Sequence, residues 1–238
     1  MMNKSNITKP TFIAEIGMNY NSNFSLAVEM IKQAKLSGAD IAKFQIGWRD
    51  KPGELNYVTK EDIELLIREA NFYDIELMFS IINIDAFNMF SQFDFKSVKI
   101  ASRTSAKDND LTKKIIDLGI KTYISFGMSD ISSFSFDKKK NHKYLYCISN
   151  YPTYFKDLKN FPLNFNDSLF DGYSDHTHGI EMCLFALSRG AEIIEKHFTL
   201  DKSETNIRDH ALSATPEEFK HMVDKGTMLF KIFKSLDR

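Results

Sequence analysis

The 238-residue chain suits a single sizeable domain with a full core, and its 43% hydrophobic and 26% charged residues are ordinary for a globular protein. A formal net charge of -1 gives no electrostatic ground for nucleic acid or an anionic membrane as partner. Cys147 and Cys183 form no CxxC pair, which excludes a disulfide framework or thiolate metal site; residues 1–10 are polar, and no stretch reaches signal-peptide or membrane-span length, so a cytoplasmic location is expected.

Short apolar runs alternate with amphipathic stretches along the chain. Strands are predicted at residues 11–16, 40–46, 76–81, 97–101, 122–126, 144–149, 172–174 and 192–197. Helical patterns fall near residues 25–37, 60–72, 85–93, 108–118, 180–189 and 216–235. The first helix carries Ala27, Met30, Ile31 and Ala34 at helical spacing and stops at Gly38. The last opens with Thr215-Pro216-Glu217-Glu218: a cap, a first-turn proline, then a carboxylate three positions on. Residues 129–142 are rich in serine and lysine with little periodicity, so the fifth helix is expected to be short or replaced by a loop. The run Lys138-Lys139-Lys140 reads as solvated. Eight strands with intervening helices and no hairpin signals argue for the α/β class and a closed (β/α)8 TIM barrel filling residues 1–238 as one domain. An open doubly wound sheet is the runner-up, but Gly17-Met18-Asn19-Tyr20-Asn21 is not the glycine-rich turn such sheets carry after their first strand.

Side chains alternate along a barrel strand, one parity facing the lumen. Apolar Ala42 and Phe44 belong against the helices, which turns Lys43 and Gln45 inward. The same logic turns Glu15, Lys99, Glu195 and His197 inward, with Ile194, Lys196 and Phe198 outside. Ser102, Ser125, Ser149 and Ser174 fall at the ends of strands four to seven. His176 and His197, 21 residues apart, end adjacent strands joined by one helix, so they should stand side by side at the carboxyl rim. Two histidines there can hold a divalent cation with open positions, acting as a Lewis acid on a carbonyl oxygen. Two lysines buried together call for an anion, so a small polyanion bound by lysine charges and hydroxyl donors is expected beside the histidines.

Taken in order, these residues resemble the N-acetylneuraminate (sialic acid) synthase family, which condenses phosphoenolpyruvate in nonulosonic acid synthesis. The matching pieces are Ile13-Ala14-Glu15-Ile16-Gly17 with Asn19, Gly38-Ala39-Asp40 leading to Lys43-Phe44-Gln45, and Val98-Lys99-Ile100-Ala101-Ser102. Ser125-Phe126-Gly127-Met128 and Cys147-Ile148-Ser149-Asn150-Tyr151-Pro152-Thr153 follow. The set closes with Ser174-Asp175-His176-Thr177, Glu195-Lys196-His197-Phe198-Thr199 and Arg208-Asp209-His210, and spans about residues 11–225. The resemblance implies that His176 and His197 ligate Mn2+ or Mg2+. It implies that Lys43, Lys99, Ser102, Ser125, Ser149 and Ser174 bind phosphoenolpyruvate, that Glu15 lies near the reacting carbons, and that Gln45, Tyr151 and Asp209 contact an N-acyl amino sugar. It admits a homodimer. The implied reaction joins C3 of phosphoenolpyruvate to the open-chain aldehyde of a ManNAc-like hexosamine, with water adding at C2 and phosphate leaving by C–O cleavage. The alternatives are a non-catalytic ligand-binding barrel of this descent, or a related 3-deoxy-ulosonate synthase or aldolase.

Four features depart from the family pattern. Ser102-Arg103-Thr104 stands where an acidic residue is usual, and Ser80-Ile81-Ile82 replaces Ser-Thr-Pro. The segment after Gln45 is short, and the small antifreeze-like domain that family members carry after the barrel, the source of a sugar-binding arginine, does not follow within these 238 residues. Arg103 and Arg208 are the candidates to compensate.

Overall fold

The structure, a computed structural model, describes residues 9–236. Its elements in chain order are β1 (Thr11–Gly17), α1 (Phe24–Leu36), β2 (Ile41–Ile46), α2 (Lys60–Phe72), β3 (Glu76–Ile81), α3 (Ile84–Phe90), β4 (Ser97–Ile100) and α4 (Ser102–Lys107). There follow α5 (Asn109–Asp117), β5 (Lys121–Ser125), β6 (His142–Cys147), β7 (Gly172–Asp175), α6 (Glu181–Ser188), β8 (Ile193–His197) and α7 (Pro216–Leu236). All eight strands pair in parallel with their sequence neighbours, and β8 closes on β1, giving the expected closed barrel. The doubly wound alternative is excluded by that closure.

Local chemistry sets the helix starts. Thr59 caps α2 in a reciprocal box with Asp62, and the side chains of Asn23, Asn83 and Asp108 each accept a backbone N–H at the first turn of α1, α3 and α5. As the composition of residues 129–142 foretold, only a 3-10 turn (Ile131–Ser133) lies between β5 and β6. Helix α4 was not foreseen: its six residues, Ser-Arg-Thr-Ser-Ala-Lys, are too few to show a period and include weak helix formers. Strand β6 begins and ends two residues earlier than predicted, which puts Ser149 beyond the strand.

The core has two layers. Outward-facing strand residues such as Phe12, Ala42, Phe44, Phe79 and Ile194 pack beneath the helices. Inside the barrel, Ile13, Ile41, Met78, Tyr123, Leu145 and Ile193 form a separate apolar plug. Each plug residue precedes by two positions a polar or ionisable residue above it, in order Glu15, Lys43, Ser80, Ser125, Cys147 and Glu195. The plug thus closes the lower lumen and leaves the polar side chains facing the carboxyl-end mouth, which is where barrels of this kind open.

Candidate active site

The floor of the mouth is a buried ion network. Glu15, Lys43, Lys99 and Glu195 are each at most 5% exposed. Lys99 Nζ donates to both oxygens of Glu195 at 2.8 and 2.7 Å. Lys43 pairs with Glu15, lies 3.8 Å from Glu195 and donates to Ser80 Oγ at 3.1 Å. Ser174 Oγ donates to Glu195 at 2.8 Å, and Gln45 Nε2 donates to Glu15. Burial raises the Glu195 carboxyl, but the Lys43 and Lys99 charges and the bonds from Lys99 and Ser174 outweigh it and bring it to about 2. Glu15 goes the other way: burial, reinforced by the Glu195 charge, lifts its carboxyl above the ordinary range despite Lys43. Burial likewise lowers the Lys99 ammonium, against the pull of Glu195. One expectation is corrected here. The two lysines do not need a bound anion to be tolerated, because Glu15 on β1 and Glu195 on β8, the latter reaching across the lumen, already neutralise them. The sequence reading placed Glu195 inside the barrel but gave it no role; its parity with His197 was the available signal.

Hydroxyls ring one side of this floor. Ser102 Oγ accepts the Gly127 N–H at 2.9 Å, while the buried Ser125 Oγ has no hydrogen-bond partner. A methyl group at Gly127 would collide with Ser149 Oγ, with Cys147 Sγ at 2.9 Å and with Ser102 Oγ at 2.9 Å, so these side chains pack directly against the glycine and leave no room for a larger residue. Ser102, Ser125 and Ser149 line the same cavity as Lys43 and Lys99, and hydroxyls beside ammonium groups suit the oxygens of an anion.

His176 and His197 stand opposite, as the strand–helix–strand spacing requires, with ring centroids 5.3 Å apart. Nδ1 of His176 lies 2.8 Å from the Ile148 carbonyl oxygen, which can only accept, so Nδ1 carries the proton and Nε2 keeps its lone pair when the ring is neutral. Burial lowers the His197 imidazolium, so that ring is neutral at pH 7. Its Nδ1 lies 3.9 Å from Asp209, whose Oδ1 has no hydrogen-bond partner. Among the described residues no three His, Cys, Asp or Glu side chains converge into a closed metal centre. Two imidazoles beside an under-satisfied carboxylate nevertheless fit a divalent cation that keeps open positions. Behind the rings, on the helix side, Asp175 and Lys196 form a fully buried ion pair at 2.8 Å between the residues that immediately precede each histidine. Lys196 also donates to the Thr177 carbonyl. The pair ties the ends of β7 and β8 together where the rings leave them.

Tyr151 covers the site, its ring centroid 4.2 Å from that of His176 and 5.9 Å from that of His197. Glu15, Lys43, Gln45, Lys99, Ser102, Ser125, Ser149, Tyr151, Ser174, His176, His197 and Asp209, all the residues singled out by the sequence, line one cavity of about 710 Å³. The same cavity is also lined by Trp48, Arg49, Arg103, Lys107 and Arg208; of these only Arg103 and Arg208 were anticipated. Trp48, Arg49 and Lys107 lie on a loop and on the unforeseen α4, where no periodic signal marks them.

The comparisons agree with this geometry. A family profile described as the NeuB family matches residues 54–237. The N,N'-diacetyllegionaminic acid synthase of Campylobacter jejuni is 31% identical over 89% of this chain and 74% of its own length. An N-acetylneuraminate-9-phosphate synthase of Drosophila melanogaster is 28% identical over 87% of this chain and 64% of its own length. Among solved structures, the N-acetylneuraminic acid synthetase of Leptospira borgpetersenii, in complex with citrate, superposes with a TM-score of 0.84 at 29% identity, covering 97% of this chain and 89% of that one.

Proposed function

The chain belongs to the NeuB family, a family of sugar-acid synthases, and on that premise we propose that it joins phosphoenolpyruvate to an N-acylated, ManNAc-like hexosamine, giving a nonulosonic acid and phosphate. The observation that carries this reading is the convergence of two buried lysines, the hydroxyls of Ser102, Ser125, Ser149 and Ser174 and two cation-competent imidazoles in one cavity.

In this reading Lys43 and Lys99 hold the phosphate and carboxylate of phosphoenolpyruvate, with Ser102, Ser125, Ser149 and Ser174 donating to their oxygens. Gln45, Tyr151 and Asp209 hold the acceptor so that its aldehyde carbon meets C3 of the enol. His176 and His197 would hold Mn2+ or Mg2+, and the bound cation would draw charge onto the aldehyde oxygen. Water then adds at C2 and phosphate leaves with C–O cleavage. Glu15, whose carboxyl is lifted by burial, is suited to take the proton of that water and return it. Its bond from Gln45 keeps that carboxylate oriented toward the acceptor side.

The test is acceptor-dependent phosphate release. Purified protein with phosphoenolpyruvate and Mn2+ should liberate phosphate only when a suitable N-acylated hexosamine, mono- or diacylated, is added. Silence across such a panel, with phosphoenolpyruvate binding intact by calorimetry, would assign the barrel a binding role and overturn the synthase reading.

A further inference from the structure

Two of the ordered motifs carry buried side chains that the cavity does not use: Asn19 and His210 are each at most 2% exposed, yet neither lines it. Both make their contacts on the segment between β8 and α7. That segment, residues 198–215, brings Asp209 to the mouth with little regular structure of its own, a 3-10 turn (Arg208–Leu212) and a bridge between Phe198 and Ala214. A loop of that length places its side chains only as well as its ties allow. Asn19 supplies the central tie. Its Nδ2 donates at 3.0 Å to the carbonyl of Phe198, the residue after His197, and at 3.0 Å to Ser213 Oγ. Ser213 Oγ donates in turn to the Asp209 carbonyl at 2.6 Å. The Phe198 carbonyl can only accept, which turns the amide nitrogen toward both partners. The amide oxygen is left buried, with no hydrogen-bond partner among the described residues. Asn21, two positions on, reaches the same segment: its Nδ2 donates to Glu204 at 3.1 Å, and its Oδ1 lies 3.4 Å from His210 Nε2.

We propose that Asn19 is a positioning residue for the acceptor: through Ser213 it fixes Asp209 relative to the end of β8, so that the Asp209 carboxylate meets the sugar beside His197. This rests on the synthase reading above, in which Asp209 holds the acceptor. The carboxylate needs such placement. His197 Nδ1 is 3.9 Å and Arg208 Nε 3.6 Å from its oxygens, both beyond hydrogen-bond range. Its position is therefore set through its backbone, at the carbonyl that Ser213 holds. Stability is a poor account of the same amide. The cost of burying its oxygen unpaired offsets what its two donated bonds contribute, so what Asn19 supplies is location. The metal-facing strand end does not depend on it. Glu15 and His197 are register partners, the Phe198 N–H donates to the Glu15 carbonyl at 2.8 Å, and the Ala214 N–H donates to the His197 carbonyl at 2.7 Å.

The experiment sets wild type beside Asn19→Leu, which keeps the volume and removes the amide, Ser213→Ala, Asp209→Ala and the Asn19→Leu/Asp209→Ala double variant. Mn2+-dependent phosphate release over the panel of N-acylated hexosamines gives the KM of each substrate, and calorimetry gives the affinity for Mn2+. Hydrogen exchange, which needs no substrate, reads the amides of residues 205–213. Asn19→Leu and Ser213→Ala should each raise the acceptor KM about tenfold or more, because a small misplacement of a substrate-holding group is costly. The KM for phosphoenolpyruvate, the affinity for Mn2+ and the melting temperature should stay as in wild type, while exchange quickens at 205–213 and not in the barrel strands. In the Asp209→Ala background, Asn19→Leu should change the acceptor KM no further, since no carboxylate is left to place. Additive losses in the double variant would make Asn19 a general support and overturn the proposal. So would a phosphoenolpyruvate KM or Mn2+ affinity that worsens alongside the acceptor KM, or unchanged exchange at 205–213. If Asn19→Leu does not fold, Ser213→Ala carries the same comparisons. Wild type silent across the whole panel would overturn the synthase reading and the acceptor role with it; exchange would then still decide whether Asn19 holds Asp209 in place.

Discussion

Glu195 shows how much of this site depends on single charges. It is the shared partner of Lys99 and Ser174 and lies within 3.8 Å of Lys43. Glu195→Ala leaves two buried ammonium groups with Glu15 alone, and removing one partner of a buried pair costs about 3–5 kcal/mol. We expect the urea midpoint to fall accordingly with an unchanged slope; a loss under about 1 kcal/mol would mean that the lysines are rehydrated rather than paired. His142 makes a pH prediction away from the site. It is 1% exposed at the start of β6, its Nδ1 accepts the Lys139 N–H at 3.2 Å, and its Nε2 has no hydrogen-bond partner. Burial, aided by Lys139, lowers its imidazolium below the ordinary value. The folded state therefore resists a proton that the unfolded chain accepts near pH 6.5. Its stabilising share is present above that pH and lost as the pH falls through the lower folded value. Melts between pH 7.5 and 5 should show wild type losing more stability than His142→Gln; parallel curves would remove His142 as a source of the slope.

At the scale of elements, the strand ends that carry the histidines are fixed from behind. Asp175 and Lys196 are register partners, both fully buried at their side chains. Lys196→Met strands the Asp175 charge among Tyr173, Thr177 and Cys183. It should cost about 3–5 kcal/mol and weaken Mn2+ affinity measured by calorimetry, because β7 and β8 lose their tie just below the rings. Unchanged Mn2+ affinity in a folded variant would show that the strands hold the rings without it. Gly172 bears on the same strands. A Cβ there falls on the Ile193 backbone oxygen, which cannot swing aside as a side chain can. Gly172→Ala is expected to cost about 3 kcal/mol, at the upper end for overpacking, and to show as a lower melting temperature. The element boundaries also show what a sequence reveals. Helices such as α1, with Ala27, Met30, Ile31 and Ala34 on its buried face, declare themselves by period. The six residues of α4 cannot, since a single turn and a half repeats nothing, and so Arg103 and Lys107 were not seen as neighbours until the fold set them on one face.

For the whole molecule, the apolar plug and the helix-side core are complete without a metal, so metal removal should spare the fold. Chelation should abolish acceptor-dependent phosphate release, while the melting temperature of the stripped protein falls only by the linkage share that bound Mn2+ contributes. Collapse of the circular-dichroism signal on chelation would instead make the cation structural. Strand parity in the sequence was enough to turn Lys43, Gln45, Lys99 and His197 inward, because alternation in a barrel strand is rigid and local. The ordered motifs were enough to place the chain among nonulosonic acid synthases. Who pairs with whom was decided only by barrel closure. Closing β8 on β1 brings Glu15 level with His197 and sets Glu195 within reach of lysines from β2 and β4. It turns an expected pair of uncompensated lysines into a neutral floor beneath a cationic rim. Charge balance depends on distances of a few ångströms between residues far apart in the chain, and a linear sequence carries residue types and periods but not those distances.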